Sequence, residues 1–481
     1  MIGRERETKR LRNLYHSESA ELVAVYGRRR VGKTYLINET FKGSFTFRHA
    51  GLSPLELGEL RGRSPLKKQL QHFYNSLLIQ GMPRSRCPEN WLDAFMLLEL
   101  FLQSKDDGGR MLVFLDELPW MDTPKSGFIT AFEGFWNTWG CHHNNLMVIV
   151  CGSATSWMTD KLINNHGGLY DRVTYEIRLE PFTLKECEAF FKGKRIKISK
   201  YDVVQSYMIC GGIPYYLNYY EKGLSLAQNI DQMFFGPKAL LKNEYERLFT
   251  SAFSNPELTR SIVELLSAKS SGFSRAEISE KTGISKGGTF SDALNALEVS
   301  GFVMKYTPFG MKKNDNRYKL MDPFCIFYLK FVRNKDALTD SFWRQNINSQ
   351  EVVSWRGFAF ENVCLNHIMQ IKEALGISGV STKQSVWIKR PEDEKEGTQV
   401  DLIIDRNDGI VNMCEIKYYN SHFSVDKRYH EVLMKREGLV EESIKKGRAV
   451  HSTLITTYGL KYNEYSGDFD NVVTMDDLFW K

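Results

Sequence analysis

The sequence predicts an α/β protein of several domains. A parallel sheet covered by helices comes first, then a helical lid, a three-helix module with a β-hairpin, and a terminal αβββαβ domain. Three observations predict this. Short apolar runs, LVAVY (22–26), MLVFLDE (111–117) and LMVIVCGS (146–153), alternate with helix-length segments such as LKKQLQHFYNSLLIQ (66–80); buried strands alternating with helices imply a parallel sheet covered on both faces. The first of these runs enters a glycine-containing loop, GRRRVGKT, which a helix follows. Near the other end, TQVDLIID and IVNMCEIKYY read as two adjacent strands that carry acids and a lysine.

The elements in order give five segments: 1–195, the strand–helix alternation; 196–255, aromatic helices interrupted by GGIP (211–214); 256–322; a helical connector over 323–354; and 355–481. In the third segment, PELTRSIVELLSA, SRAEISEKTG and KGGTFSDALNALEVSG read as helices. FVMKYTPF and NRYKLMD then read as strands around the tip GMKKND, the plan of a winged helix-turn-helix. In the last, the helix RGFAFENVCLNHIMQIKEAL precedes SVWIKR, the two acid-bearing strands, an amphipathic helix near 427–446, STLITTYGL and NVVTMDDLF.

At 481 residues, two to four domains are expected. No apolar run approaches the roughly 18 residues of a membrane span, and the charged start MIGRERETKRLRNLY lacks the apolar core of a secretory signal. A cytoplasmic protein with no membrane partner is the expectation. None of the eight cysteines forms a CxxC pair and several sit in apolar runs, so buried free thiols are expected. The net charge of +6 is uneven: residues 1–350 carry 47 Lys+Arg against 37 Asp+Glu, and residues 351–481 carry 17 against 21. Any attraction to a polyanion therefore resides mostly in the first two thirds, and ordinary solvated Lys and Arg account for such an excess equally well.

GRRRVGKT matches GxxxxGK[ST]. Glycines such as Gly27 and Gly32 let backbone N–H groups turn toward phosphates, Lys33 neutralises their charge, and the Thr34 hydroxyl holds Mg²⁺. The helix that starts there adds its positive dipole end. Asp116, at the end of MLVFLD, can hold the Mg²⁺ shell, and Glu117 can polarise the attacking water. Ser153 is either a γ-phosphate sensor or an ordinary turn residue. Arg172 either supplies charge to the transition state, in cis or from a neighbouring subunit, or is a surface arginine.

These motifs resemble the archaeal-type ATPases of the signal-transducing, AAA+-related class of P-loop NTPases. IGRERETKRL (2–11), GRRRVGKT, LDE, the LYDR segment before RLEPF and GGIP occur in that family's order. Asp171 replaces the family's glycine beside Arg172. The resemblance covers residues 1 to about 330. It implies ATP and Mg²⁺ as cofactors, a winged helix, and a homo-oligomer in which one subunit's arginine meets the next subunit's nucleotide.

Phosphodiester hydrolysis needs carboxylates to hold Mg²⁺ and a lysine to orient or activate water. Glu415 and Lys417, two apart on one strand, face the same side. A hairpin brings Asp401 alongside, and Glu361 on the preceding helix can complete the metal shell. Residues 355–481 resemble the PD-(D/E)XK, restriction-endonuclease-like module appended to archaeal-type ATPases, with Val400 in the usual proline's place. The resemblance implies a metal-dependent nuclease acting on nucleic acid, DNA first. A role in defence or mobile-element maintenance is compatible with it. Lys286, Lys312 and Lys313 can meet DNA phosphates, or the winged helix can instead pack on its neighbours and transmit nucleotide state. The competing expectation is an NTP-dependent switch that binds DNA or a protein partner and retains a silent nuclease fold.

Overall fold

The computed structural model describes residues 1–59, 64–164, 168–169, 171–333, 339–389 and 398–480; Tyr170 of the LYDR segment and the Lys313 side chain lie outside the described set. The chain forms two compact units. One comprises residues 1–181 and 246–257, the other residues 182–245 and 258–481. The helix Leu184–Gly193 therefore lies in the second unit.

In the first unit, β1 (Glu21–Tyr26), β2 (Phe47–Ala50), β3 (Met111–Asp116), β4 (Leu146–Gly152) and β5 (Tyr175–Arg178) form a parallel sheet in the order β2-β3-β4-β1-β5. The central three, β3, β4 and β1, are buried at every residue. Coverage on both faces is why they read as continuous apolar runs. The edge strands FRHA and YEIR are short and partly exposed, so they carry no such signal. On one face, Leu22, Val113 and Val148 pack against an aromatic layer. Its members Phe73, Trp91, Phe95 and Phe132 come from the helices Pro65–Ile79, Trp91–Lys105 and Phe128–Thr138.

The second unit opens with helices. GGIP ends the helix Lys200–Cys210: Gly211 (φ 65°) caps it and Gly212 (φ 67°) continues the turn. The Gly212 carbonyl accepts the Phe182 N–H at 2.8 Å, and a Cβ on Gly212 would stand 2.1 Å from the Phe182 carbonyl oxygen. Only glycine fits that approach. Further on, β6 (Phe273–Ser274), β7 (Val303–Tyr306) and β8 (Arg317–Leu320) form an antiparallel sheet, order β6-β8-β7, beside the helices Arg275–Thr282 and Gly288–Val299. The first helix has a full capping box, Ser274 with Glu277.

The last sheet runs in sequence order: β9 (Thr382–Lys389), β10 (Thr398–Arg406), β11 (Ile410–Lys417), β12 (Ala449–Thr456) and β13 (Asn471–Thr474). β9, β10 and β11 pair antiparallel; β11, β12 and β13 pair parallel. The helix Lys427–Ser443 carries the chain from β11 to β12 and buries Leu433 and Val440 against Val411 and Met413. The helix before this sheet starts at Gln350, behind the Ser349 cap, and breaks at His367. There the buried imidazole bonds the Val363 carbonyl through Nδ1 and accepts the Leu184 N–H at Nε2. The tip of the β7–β8 hairpin also reaches this sheet: the Phe309 N–H donates to the Val386 carbonyl on β9 at 3.0 Å, and its ring packs on the sheet's core.

Candidate functional site

The first cradle follows β1. Gly27 sits at φ 135°, where a Cβ would meet the Leu179 carbonyl oxygen at 2.4 Å, so the loop entry admits only glycine. Gly32 (φ 93°) caps the helix Lys33–Thr40. The Lys33 ammonium donates to the carbonyls of Gly27 and Arg28, at 2.9 and 3.0 Å. Thr34 Oγ1 donates to Asp116 Oδ2 at 2.8 Å, so the two groups expected to share Mg²⁺ are adjacent. An all-oxygen pair beside a lysine fits a magnesium nucleotide. Arg4, from IGRERETKRL, braces the same loop from behind: its guanidinium is buried and donates to the carbonyls of Glu180 (2.6 Å) and Val31 (3.3 Å).

Glu117 takes a left-handed conformation (φ 47°), uncommon for a residue with a side chain. The Ser153 N–H and hydroxyl both donate to Glu117 Oε2, at 3.0 and 2.8 Å. Ser153 is thus tied to the candidate water-polarising carboxylate. Burial raises the Glu117 carboxyl above its usual range, against the pull of Lys33.

Arg172 lies at the far end of the sheet edge from the phosphate loop. β5 runs parallel to β1, with Tyr175 beside Val23 and Arg178 beside Tyr26. Gly27 follows the end of β1, whereas Arg172 precedes the start of β5 and is exposed. At about 3.3 Å per residue the two lie roughly 20 Å apart. Within one chain the structure does not bring Arg172 to the phosphate loop.

The second constellation is in the second unit. In the β10–β11 register, Leu402 pairs with Cys414, which directs Asp401 toward Glu415. Between Val400 and Ile403 the β9–β10 register shifts by one residue, a bulge that holds Asp401; bulges re-aim side chains in this way. Asp401 Oδ2 accepts the Ile416 N–H at 3.2 Å. Its carboxyl is raised by burial and by the charge of Glu415. Lys417 Nζ lies 3.3 Å from Glu415 Oε2. Glu361, on the helix Gln350–Asn366, is pushed up to about 7 by burial, with Lys319 pulling it down and Asp401 adding to the rise. The four expected residues therefore form one electrostatic cluster.

Three further members carry no sequence motif. Arg436 donates to Glu415 Oε1 at 2.7 Å, and the Tyr429 hydroxyl donates to Oε2 at 2.7 Å. Lys319 Nζ, from β8, lies 3.7 Å from Glu361 Oε2, both side chains buried. One signal for Arg436 was present. Tyr429, Leu433, Arg436 and Val440 are spaced four, three and four apart, which puts an arginine in the core-facing stripe of its helix. Lys319 gave none, because β8 is buried on both faces and Tyr318, Lys319 and Leu320 are all covered.

The oxygen-only donor set of Asp401, Glu415 and Glu361 suits Mg²⁺ in kind. Among the described residues, no three His, Cys, Asp or Glu side chains stand in a grouping that encloses an ion. Lys286 and Lys312, the expected phosphate contacts, are both exposed. All eight cysteines are free thiols, and among the described residues no helix is long and apolar enough to cross a membrane.

Residues 1–220 match the family model described as an ATPase domain predominantly from Archaea. This part of the chain is similar to an archaeal-type ATPase domain, and its five-stranded parallel sheet is consistent with a P-loop NTPase. An uncharacterized protein, MJECL04 of Methanocaldococcus jannaschii, is 23% identical over 445 residues, covering 91% of this chain and 92% of its own. Among solved structures, the Walker-type ATPase PABY2304 of Pyrococcus abyssi aligns with a TM-score of 0.46 at 16% identity, over 69% of this chain and 96% of that one. The ORC2 protein of Aeropyrum pernix, in ADPNP-ADP complexes, aligns with a TM-score of 0.41 at 12% identity, over 68% and 93%.

Proposed function

We propose that the protein binds and hydrolyses ATP through Lys33, Thr34, Asp116 and Glu117, and that nucleotide state governs a Mg²⁺-dependent nuclease built on Asp401, Glu415, Glu361 and Lys417. The observation that carries the second half is the bulge at Asp401. It directs a half-buried carboxylate toward Glu415 and leaves Lys417 on the same side. Mg²⁺ held there by Asp401 and Glu415, with Glu361 in support, would supply Lewis-acid stabilisation of a phosphodiester. Lys417 orients water or meets the charge that develops on phosphate. In the ATPase half, Lys33 leaves its two loop carbonyls for the phosphates, and Ser153 holds Glu117 until nucleotide arrives. Regulation of the one site by the other fits an ATPase domain placed ahead of a site with different chemistry.

A specific observation favours a second reading. Both Glu415 oxygens are engaged, Oε1 by Arg436 and Oε2 by Tyr429 and Lys417. A carboxylate so fully used suits a nucleotide-dependent switch that binds DNA or a protein partner without cutting. One assay separates the two: the full chain with Mg²⁺, with and without ATP, on plasmid, linear, single-stranded and branched DNA and on RNA. Cleavage that Asp401→Ala or Lys417→Ala abolishes, with ATP hydrolysis kept, is the expected result. Absence of Asp401-dependent cleavage on every substrate leaves the switch.

A further inference from the structure

The acid cluster holds three carboxylates, Glu361, Asp401 and Glu415, and three cations, Lys319, Lys417 and Arg436. Lys417 and Arg436 serve Glu415. Lys319 serves Glu361, and feels Asp401 as well. With all three carboxyls ionised, the three acids and three cations balance in charge. A divalent cation entering the cluster in that state would leave it two charges in excess, which a poorly solvated site penalises. A resident cation that yields relieves part of that excess.

Lys319 is the one that fits. Its side chain is 5% exposed and that of Glu361 10%, so solvent compensates neither. Lys417 and Arg436 share Glu415, whereas Lys319 is the cation the structure records within ion-pair distance of Glu361. It also comes from a different sheet: β8 belongs to the β6-β8-β7 sheet, not the one that carries Asp401 and Glu415. Beside it, the Asn362 side chain donates to the Leu320 carbonyl at 3.3 Å, which fixes β8 against the helix of Glu361. Burial lowers the Lys319 ammonium below its ordinary range, and the charges of Glu361 and Asp401 pull it back up only in part.

We propose that Lys319 is a positioning residue of the acid cluster: an internal counter-cation that holds Glu361 in place of a divalent metal and competes with that metal for it. The proposal rests on the metal-site reading above. It makes a residue outside the terminal domain part of that domain's site, and it explains how a donor set of suitable chemistry can stand closed.

The test is calorimetric titration of Mn²⁺ into the nucleotide-free full chain, each variant made with and without Asp401→Ala to identify binding at this site. Lys319→Met removes the charge and nearly keeps the volume; Lys319→Gln stands in if that protein does not fold, as judged by circular dichroism. Lys319→Arg keeps the charge. The expected result is Asp401-dependent Mn²⁺ binding about tenfold or more tighter in Lys319→Met than in wild type, the scale on which a ligand's neighbours tune metal affinity. Lys319→Arg should match wild type. Asp401-dependent binding of equal or weaker affinity in Lys319→Met overturns the competition and leaves the metal site standing. No Asp401-dependent binding in any variant overturns both.

Discussion

Lys33 donates to two carbonyls of its own loop, neutral acceptors that a phosphate's charge would outcompete. Lys33→Ala should weaken ATP binding about tenfold to a hundredfold, the scale of a hydrogen bond to a charged group, read by equilibrium titration. Glu117→Gln should leave binding near wild type and slow single-turnover hydrolysis by about 10²- to 10⁴-fold; equal rates would remove Glu117 from the role. His367 supplies a prediction of another kind. Burial lowers its pKa from 6.5 to about 4 in the folded chain. The unfolded chain takes up the proton near 6.5, while the folded chain resists it until about 4. Stability from this group is complete above 6.5 and declines as pH falls through that window, by about 2 kcal/mol between pH 7 and pH 5. Protonation would also cost Leu184 its Nε2 acceptor. Thermal unfolding of His367→Gln should therefore fall less steeply with acid than that of wild type. Lys33 and Thr34 stand out in the sequence because a phosphate loop demands fixed types at fixed spacing, and Asp116 and Glu117 because they end an apolar run. Lys319 does not, because its partner is 42 residues away on another element and no local pattern encodes that pairing.

At the scale of elements, the central strands β1, β3 and β4 were legible because full burial makes them apolar throughout. The edge strands β2 and β5, and the two-residue β6, were not. Four or fewer residues, partly exposed, look like loop. The β10 bulge was equally invisible, since its cause is the register with β9 rather than any residue preference. Glycines separate by what surrounds them. Gly27 and Gly43 both have positive φ, but only Gly27 would bring a Cβ against backbone, at 2.4 Å; Gly43 faces open space. Gly27→Ala should destabilise the loop by about 1–3 kcal/mol or more and abolish nucleotide binding. Gly43→Ala carries the φ strain alone and should keep binding, so equal loss in the two would contradict the loop-entry argument.

For the whole molecule, the position of Arg172 before β5 turns a question of residue chemistry into one of assembly. If it serves a nucleotide at all, that nucleotide belongs to another copy of the chain. Lys33→Ala and Arg172→Ala proteins, each inactive alone, should then regain part of the ATPase activity when mixed. A strict monomer by light scattering with ATP at micromolar concentration would exclude this. The hairpin seat has a different consequence. β9 is the outermost strand of its sheet, and Phe309 caps it with one hydrogen bond and a ring. An uncovered outer strand is a template that recruits other chains. A fragment cut near residue 355 to obtain the terminal sheet alone would lose this cap together with Lys319. Its solution behaviour would then report on sticky, self-associating ends rather than on the chemistry it was made to isolate.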